Sequence, residues 1–182
     1  MRVQRNAAVL VIVFSATVAA QGPTSGGNPV SQAIRDGWNG AKRNLAGSAK
    51  IMPDAKYSFR PVDGVRTFGE ILAHVAGANY IFCAAARGEK SPHSEDAFEK
   101  TAKTRAEIVQ ALEESFKYCD AAYAALDDRT AVQSITAPFG DGQTTRAAAL
   151  MNNTGHLQEH YGNLVTYLRI NGLVPPSSAP PR

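Results

Sequence analysis

The 182 residues are 44% hydrophobic and 19% charged, a balance that supports one folded domain with its own core and excludes a disordered tail or a fibrous repeat. The net charge of +3 shrinks when Arg2 and Arg5 are set aside with the leader described next, which leaves the basic side chains one ahead of the acidic. No basic stripe suited to nucleic acid remains, Lys42-Arg43 being too short to form one.

Arg2 and Arg5 precede an apolar run from Ala7 to Ala20 that closes on Val18, Ala19 and Ala20 before Gln21. This is the layout of a secretory signal peptide, so residues 1–20 are expected to be removed and the mature chain to be secreted or periplasmic. The run is shorter than the roughly 20 residues a membrane-spanning helix needs, no later stretch reads as a span, and no cysteine at the boundary offers a lipid acceptor. A Gly/Pro/Ser-rich stretch, residues 21–30, is expected to form a flexible mature start.

Four amphipathic segments follow, and nothing alternates with the period of a strand, so the class is all-α. The first runs from about Ser31 to Lys50, with Ile34, Trp38, Ala41 and Leu45 along one face; Pro53 stops it. The second opens on Thr67 with Glu70 three residues on, a capping box, and buries Phe68, Ile71, Leu72, Val75 and Phe82 before ending at Gly88. The third repeats the signal with Thr104 and Glu107 and carries Ile108, Ala111, Leu112, Ser115, Cys119, Ala122 and Leu126. Asp127 and Asp128 suit a helix C-terminus poorly, so it ends near them. The fourth begins after Gly140-Asp141-Gly142, with Thr144 or Thr145 as N-cap, and lines up Leu150, Leu157, Tyr161, Leu164 and Leu168; Asn171-Gly172 and Pro175-Pro176 close it.

Four helices of roughly 20–27 residues, about 30–40 Å long, make a four-helix bundle. The three links, near residues 51–66, 88–103 and 127–143, are longer than the roughly 2–8 residues usual between antiparallel neighbours. A link of this size can extend about 53 Å, the length of the bundle, so length alone allows parallel or antiparallel neighbours. The stretch Tyr57 to Arg66, with aromatics, prolines and two arginines close together, reads either as a cap over one end of the bundle or as a partner-binding surface.

His156 and His160 stand four apart on the fourth segment, one turn apart on one face beside the Leu157 and Leu164 stripe. His74 lies at the edge of the Ile71 and Val75 stripe on the second. Three neutral imidazoles from two packed helices can hold one transition-metal ion and leave a coordination position open, the pattern of a catalytic site. The spacing alone also fits a chance surface pair or core histidines held by carbonyls. His93, among polar link residues, reads as a solvated histidine. His156-Leu157-Gln158-Glu159-His160 matches the H-x-x-E-H spelling of inverted zinc peptidases, but no Asp or Glu follows Glu159 to supply their downstream ligand, which leaves His74 as the best third ligand. Glu159 is a candidate for orienting or deprotonating a bound water, or a solvent-facing glutamate; Asn153, Tyr161 and Tyr167 offer polar groups to the pocket or simply pack.

Met52-Pro53, Lys56 to Pro61, Phe68 to Val75 and His156 to Arg169 together resemble the DinB family, the DinB/YfiT-like four-helix bundles, across nearly the whole mature chain. The resemblance implies an up-down-down-up bundle over residues 31–176, followed by a flexible tail at 177–182, in an exported family member. It also implies a divalent metal, typically zinc or nickel, held by one histidine of the second helix and the H-x-x-x-H pair of the fourth; here these are His74, His156 and His160. Relatives in the family include thiol transferases and a maleylpyruvate isomerase.

With the second and third helices parallel, as that topology has them, Cys83 and Cys119 lie 15 and 14 residues in, at almost equal height. Antiparallel helices would offset them by about 15 Å, beyond the roughly 7 Å Cα limit of a disulfide. A Cys83–Cys119 disulfide is therefore expected in an oxidising compartment, the other reading being two buried small apolar side chains. The function these readings favour is a metal-dependent hydrolase or group transferase acting on a small molecule. A non-catalytic exported bundle with a structural or sequestering metal, or a partner-binding module, is the alternative. Neither nucleic acid nor membrane is an expected partner, and a homodimer is compatible with the sequence.

Overall fold

Both capping boxes form and set where the bundle helices begin. In the computed structural model, which describes residues 27–180, Thr67 Oγ1 accepts from the Glu70 N–H at 3.2 Å while the Glu70 carboxylate accepts from the Thr67 N–H at 2.7 Å. Thr104 and Glu107 repeat the exchange. These caps open α2 (Phe68–Arg87) and α4 (Arg105–Ala124), which pack with α1 (Pro29–Ile51) and α6 (Arg146–Ile170) as the four long helices. Two short helices lie in the links, α3 (Ala97–Thr101) and α5 (Asp128–Ala131). The leader, residues 1–20, lies outside the described residues.

The helix directions follow from side chains that meet. Arg35 donates to the Leu126 carbonyl at 2.6 Å and Arg105 to the Lys50 carbonyl at 3.2 Å, so α1 and α4 are antiparallel. Asn79 donates to Ser115 at 3.0 Å, and Cys83 is disulfide-bonded to Cys119 with Cα atoms 5.3 Å apart, so α2 and α4 are parallel. Gly37 backs onto Thr154 and Gly47 onto Pro176, which makes α1 and α6 parallel. The result is an up-down-down-up four-helix bundle.

The expected stripes form the core. Trp38 stacks on Tyr123 with centroids 4.5 Å apart and meets Phe116 edge-on, while its indole N–H donates to Asp120 at 2.8 Å. Leu45, Leu72, Leu112, Leu150, Leu157, Leu164 and Leu168 are fully buried, each stabilising the fold by about 1.5–3 kcal/mol. Among the described residues, α2 is long and apolar enough to reach a mean hydropathy of 1.2 over a spanning window. That window is 83% buried within the bundle, and a helix apolar nearly all round is what a core position demands.

The links hold more structure than the hydrophobic pattern announced. Tyr57 donates to the Ala49 carbonyl at 2.6 Å and packs edge-on against Phe68, and Phe59 meets Tyr167 edge-on, so the aromatics of the first link cap the bundle end. In the third link a two-stranded antiparallel ribbon, β1 (Ser134–Thr136) and β2 (Gln143–Thr145), departs from the expectation of no strands. Three-residue strands are too short for alternation to register, and the legible part was their turn, Gly140-Asp141-Gly142. Asp127 and Asp128 do more than end a helix. Asp127 caps α5, and the Asp128 carboxylate accepts from the Ser31 N–H at 2.7 Å, capping α1, whose own Asn28 makes no side-chain cap. At the C-terminal side, Pro176–Ser178 form a 3-10 turn against α1, where a loose tail from residue 177 was expected.

Candidate metal centre

The seam between antiparallel α2 and α6 brings the three predicted histidines together. His156 Nε2 lies 3.1 Å from His74 Nε2 and 3.0 Å from His160 Nε2, and one ring nitrogen from each falls within 4.8 Å of the others. His74 and His160 are buried; His156 is half-buried. Burial, reinforced by the neighbouring imidazoles and Arg66, pulls the His156 pKa down to about 3. Burial and His74 pull His160 down to about 4, with Glu159 and Glu99 working in the opposite direction. Both rings are therefore neutral near pH 7 and keep a lone pair to donate.

The hydrogen-bond arithmetic of the three rings does not close by itself. His74 Nδ1 lies 3.0 Å from Glu99 Oε1, so this nitrogen carries the proton and His74 Nε2 presents a lone pair. A single N–H on His156 cannot be directed at both of its neighbours, and the Nδ1 atoms of His156 and His160 are buried without a hydrogen-bond partner among the described residues. A cation between the rings would give all three Nε2 lone pairs a partner. Three imidazoles at these separations suit a borderline-soft divalent ion with a position left for an outside ligand.

Glu99 is itself held in place. Arg66 donates to it from Nε at 2.8 Å and from Nη2 at 3.3 Å. The Tyr167 hydroxyl in turn donates to the Arg66 carbonyl at 2.7 Å. This succession of contacts fixes the His74 ring through its far nitrogen. A second carboxylate, Glu95, places Oε1 3.8 Å from His74 Nε2. Glu95 and Glu99 were not read from the sequence, because both sit in a link whose path is set by tertiary contacts. The available signal was Gly77, a glycine in a helix interior. A Cβ there would overlap the Glu95 backbone carbonyl, so Gly77 lets the link lie directly on α2 one turn beyond His74.

Other residues singled out from the sequence lie elsewhere or stay uncommitted. Tyr161 does not contribute a polar group to the histidines: its hydroxyl donates to Ser177 Oγ and accepts from the Ser177 N–H, both at 2.8 Å. Asn153 is fully buried under the disulfide, with Nδ2 3.3 Å from the Tyr123 hydroxyl. Glu159 is exposed and makes no hydrogen bond or ion pair among the described residues. His93 is exposed, as its place among polar link residues led us to expect, with its ring edge-on to Tyr80 at 4.6 Å and tilted against Phe98 at 4.9 Å. On the other flank, Phe82 lies 5.9 Å from His156, centroid to centroid, and meets Phe139 of the ribbon turn edge-on at 5.2 Å.

A family profile described as the DinB superfamily matches residues 38–164. The fold is similar to that of a DinB-like protein from Bacillus cereus, at 15% identity and a TM-score of 0.63, covering 80% of this chain and 95% of that one. It is similar to a protein from Exiguobacterium sibiricum described as a putative member of the DinB family, at 20% identity and a TM-score of 0.61, covering 81% and 95%. YfiT from Bacillus subtilis, described as a probable metal-dependent hydrolase with an unusual four-helix bundle topology, is 17% identical with a TM-score of 0.61, covering 84% and 94%. No curated protein matches the sequence.

Proposed function

The chain belongs to the DinB superfamily, and on that footing we propose that it is a metal-dependent hydrolase or group transferase acting on a small molecule, with zinc or nickel held by His74, His156 and His160. The observation that carries this reading is the meeting of three ring nitrogens whose lone pairs and protons cannot all be satisfied by one another. The description of YfiT as a probable metal-dependent hydrolase supports the same reaction class.

A bound divalent ion would supply Lewis acidity and lower the pKa of a water or thiol at its open position. The protein's own part is to keep His156 and His160 neutral through burial, and to fix the His74 tautomer through Glu99 and Arg66. Phe82 lies beside His156, ring centroids 5.9 Å apart. Glu159, one residue before His160, is the further candidate for moving a proton on the solvent side. Export of the mature chain fits the same picture, since residues 1–20 have the pattern of a leader and the buried Cys83–Cys119 bridge is of the kind an oxidising compartment preserves.

Elemental analysis of untagged protein prepared with ample zinc and nickel tests the assignment. One equivalent of metal in the wild type and none in His156→Ala is the expected result. A cobalt-substituted sample whose visible spectrum responds to added azide would show a coordination position open to outside ligands, as catalysis needs. An unresponsive closed shell would favour a structural metal, and absence of stoichiometric metal would remove the enzyme reading.

A further inference from the structure

The walls on either side of the histidines differ in chemistry. On a helical projection at about 100° per residue, Gly77 and Phe82 fall on opposite sides of His74. On the Gly77 side the link brings in Glu95, whose carboxylate is 43% exposed and makes no hydrogen bond among the described residues. The neighbouring cations are committed elsewhere, Arg66 to Glu99 and Lys100 to Asp96. On the Phe82 side the ribbon turn sets Phe139 over Phe82 while leaving it 49% exposed.

Glu95 is unsuited to completing the donor set. It comes within ion-pair distance of His74 Nε2 alone, whereas a donor sharing an ion with all three rings would lie comparably near each of them. Its acceptor capacity is nonetheless unspent beside the cluster. A free carboxylate and a half-exposed aromatic on opposite flanks of a Lewis-acid position complement a ligand with a cationic group, a metal-seeking heteroatom and an apolar group.

We propose that the site recognises small amines that carry an apolar group next to a carbonyl or comparable heteroatom, the ammonium paired with Glu95 and the apolar group set against Phe82 and Phe139. This rests on the reading of the histidines as an ion site and goes beyond it by naming the substrate class.

Calorimetric binding to the zinc-loaded protein tests it, with three probes: phenylalaninamide, 3-phenylpropionamide, which lacks the amine, and alaninamide, which lacks the phenyl ring. Phenylalaninamide is expected to bind roughly ten-fold more tightly than 3-phenylpropionamide, and about five-fold more tightly than alaninamide. Glu95→Gln should abolish the first difference and keep zinc affinity, and Phe139→Ala should abolish the second. Phe139→Leu, which retains apolar cover, should keep part of it. Equal binding of the three probes, or an unchanged preference in Glu95→Gln, overturns the proposal while leaving the ion site standing. A ten-fold loss of zinc affinity in Glu95→Gln overturns it by making Glu95 a ligand. Failure of the wild type to take up zinc overturns the ion site and the proposal together, and is read before any probe is added.

Discussion

The α2–α6 seam holds two polar clusters, and they have opposite chemistry. Near the ribbon end, Cys83, Cys119, Asn153 and Tyr123 are wholly buried, the sulfurs are joined covalently, and the Tyr123 hydroxyl donates to the Leu150 carbonyl at 2.7 Å. Burial pushes that phenol up to about 12, so it stays protonated and inert. Nearer the start of α2, three imidazoles face one another with lone pairs that the protein does not use. One seam thus separates scaffold from chemistry: the closed cluster fixes the parallel pair α2 and α4, and the open one borrows that rigidity to hold its donors.

The largest effect that can separate the two clusters comes from removing the bridge. Cys83→Ser with Cys119→Ser opens a loop of 36 residues' separation and should cost about 3–4 kcal/mol, measured by urea denaturation. Metal stoichiometry should survive under conditions where the variant stays folded. A parallel loss of metal at full foldedness would join the clusters that this account keeps apart.

Glu99→Gln should act the other way round, leaving urea stability within about 0.5 kcal/mol, as for a partly exposed pair, while weakening metal affinity roughly 10–100-fold through the freed His74 ring. Competition with a chromogenic chelator reads it. Equal zinc affinity in the variant would strip Glu99 of its positioning role.

A smaller, pH-dependent effect sharpens the contrast. His156 and His160 titrate at about 3 and about 4 in the folded protein, against 6.5 for a free imidazole. As pH falls, the unfolded chain takes up these protons first. The metal-free protein should therefore hold its full stability above about pH 6.5 and lose it progressively toward pH 4. Carboxylates held low by hydrogen bonds, such as Glu70 and Asp127, add their own loss at the acid end, below their ordinary values of 4.5 and 3.8. The thermal midpoint of a His156→Gln, His160→Gln variant should vary less between pH 6.5 and 4; an identical slope would show that the rings are not held neutral by burial.

The residues legible in the sequence were those whose signal is local. Thr67 with Glu70 and Thr104 with Glu107 announce helix starts because the exchange of hydrogen bonds spans only three residues. His156 and His160 announce themselves by helical period. Their meeting with His74 was legible from its place at the edge of the second helix's stripe, whereas the pairing of Cys83 with Cys119 required the parallel α2–α4 topology that the family resemblance supplied. Glu95, Glu99 and Asp128 escaped because their partners are distant: Glu99 reaches His74 across 25 residues and Asp128 reaches Ser31 across 97. Asp127 and Asp128 were legible as a helix end, but what they cap depends on where the third link travels. Spacing left Asn153 and Tyr161 open between pocket and packing, a choice that depends on tertiary partners: the Tyr123 hydroxyl for Asn153 and Ser177 for Tyr161.

Zinc titration of His74→Ala, set beside the wild type, shows whether α2 and α6 share one ion, because His74 is the donor that comes from a different helix. One ion per wild-type chain and a more than hundred-fold weaker affinity in the variant, beyond the roughly 10–100-fold expected from outer partners, is the predicted result. Equal zinc binding by the two proteins would contradict it, since the His156 and His160 pair would then hold the ion without α2.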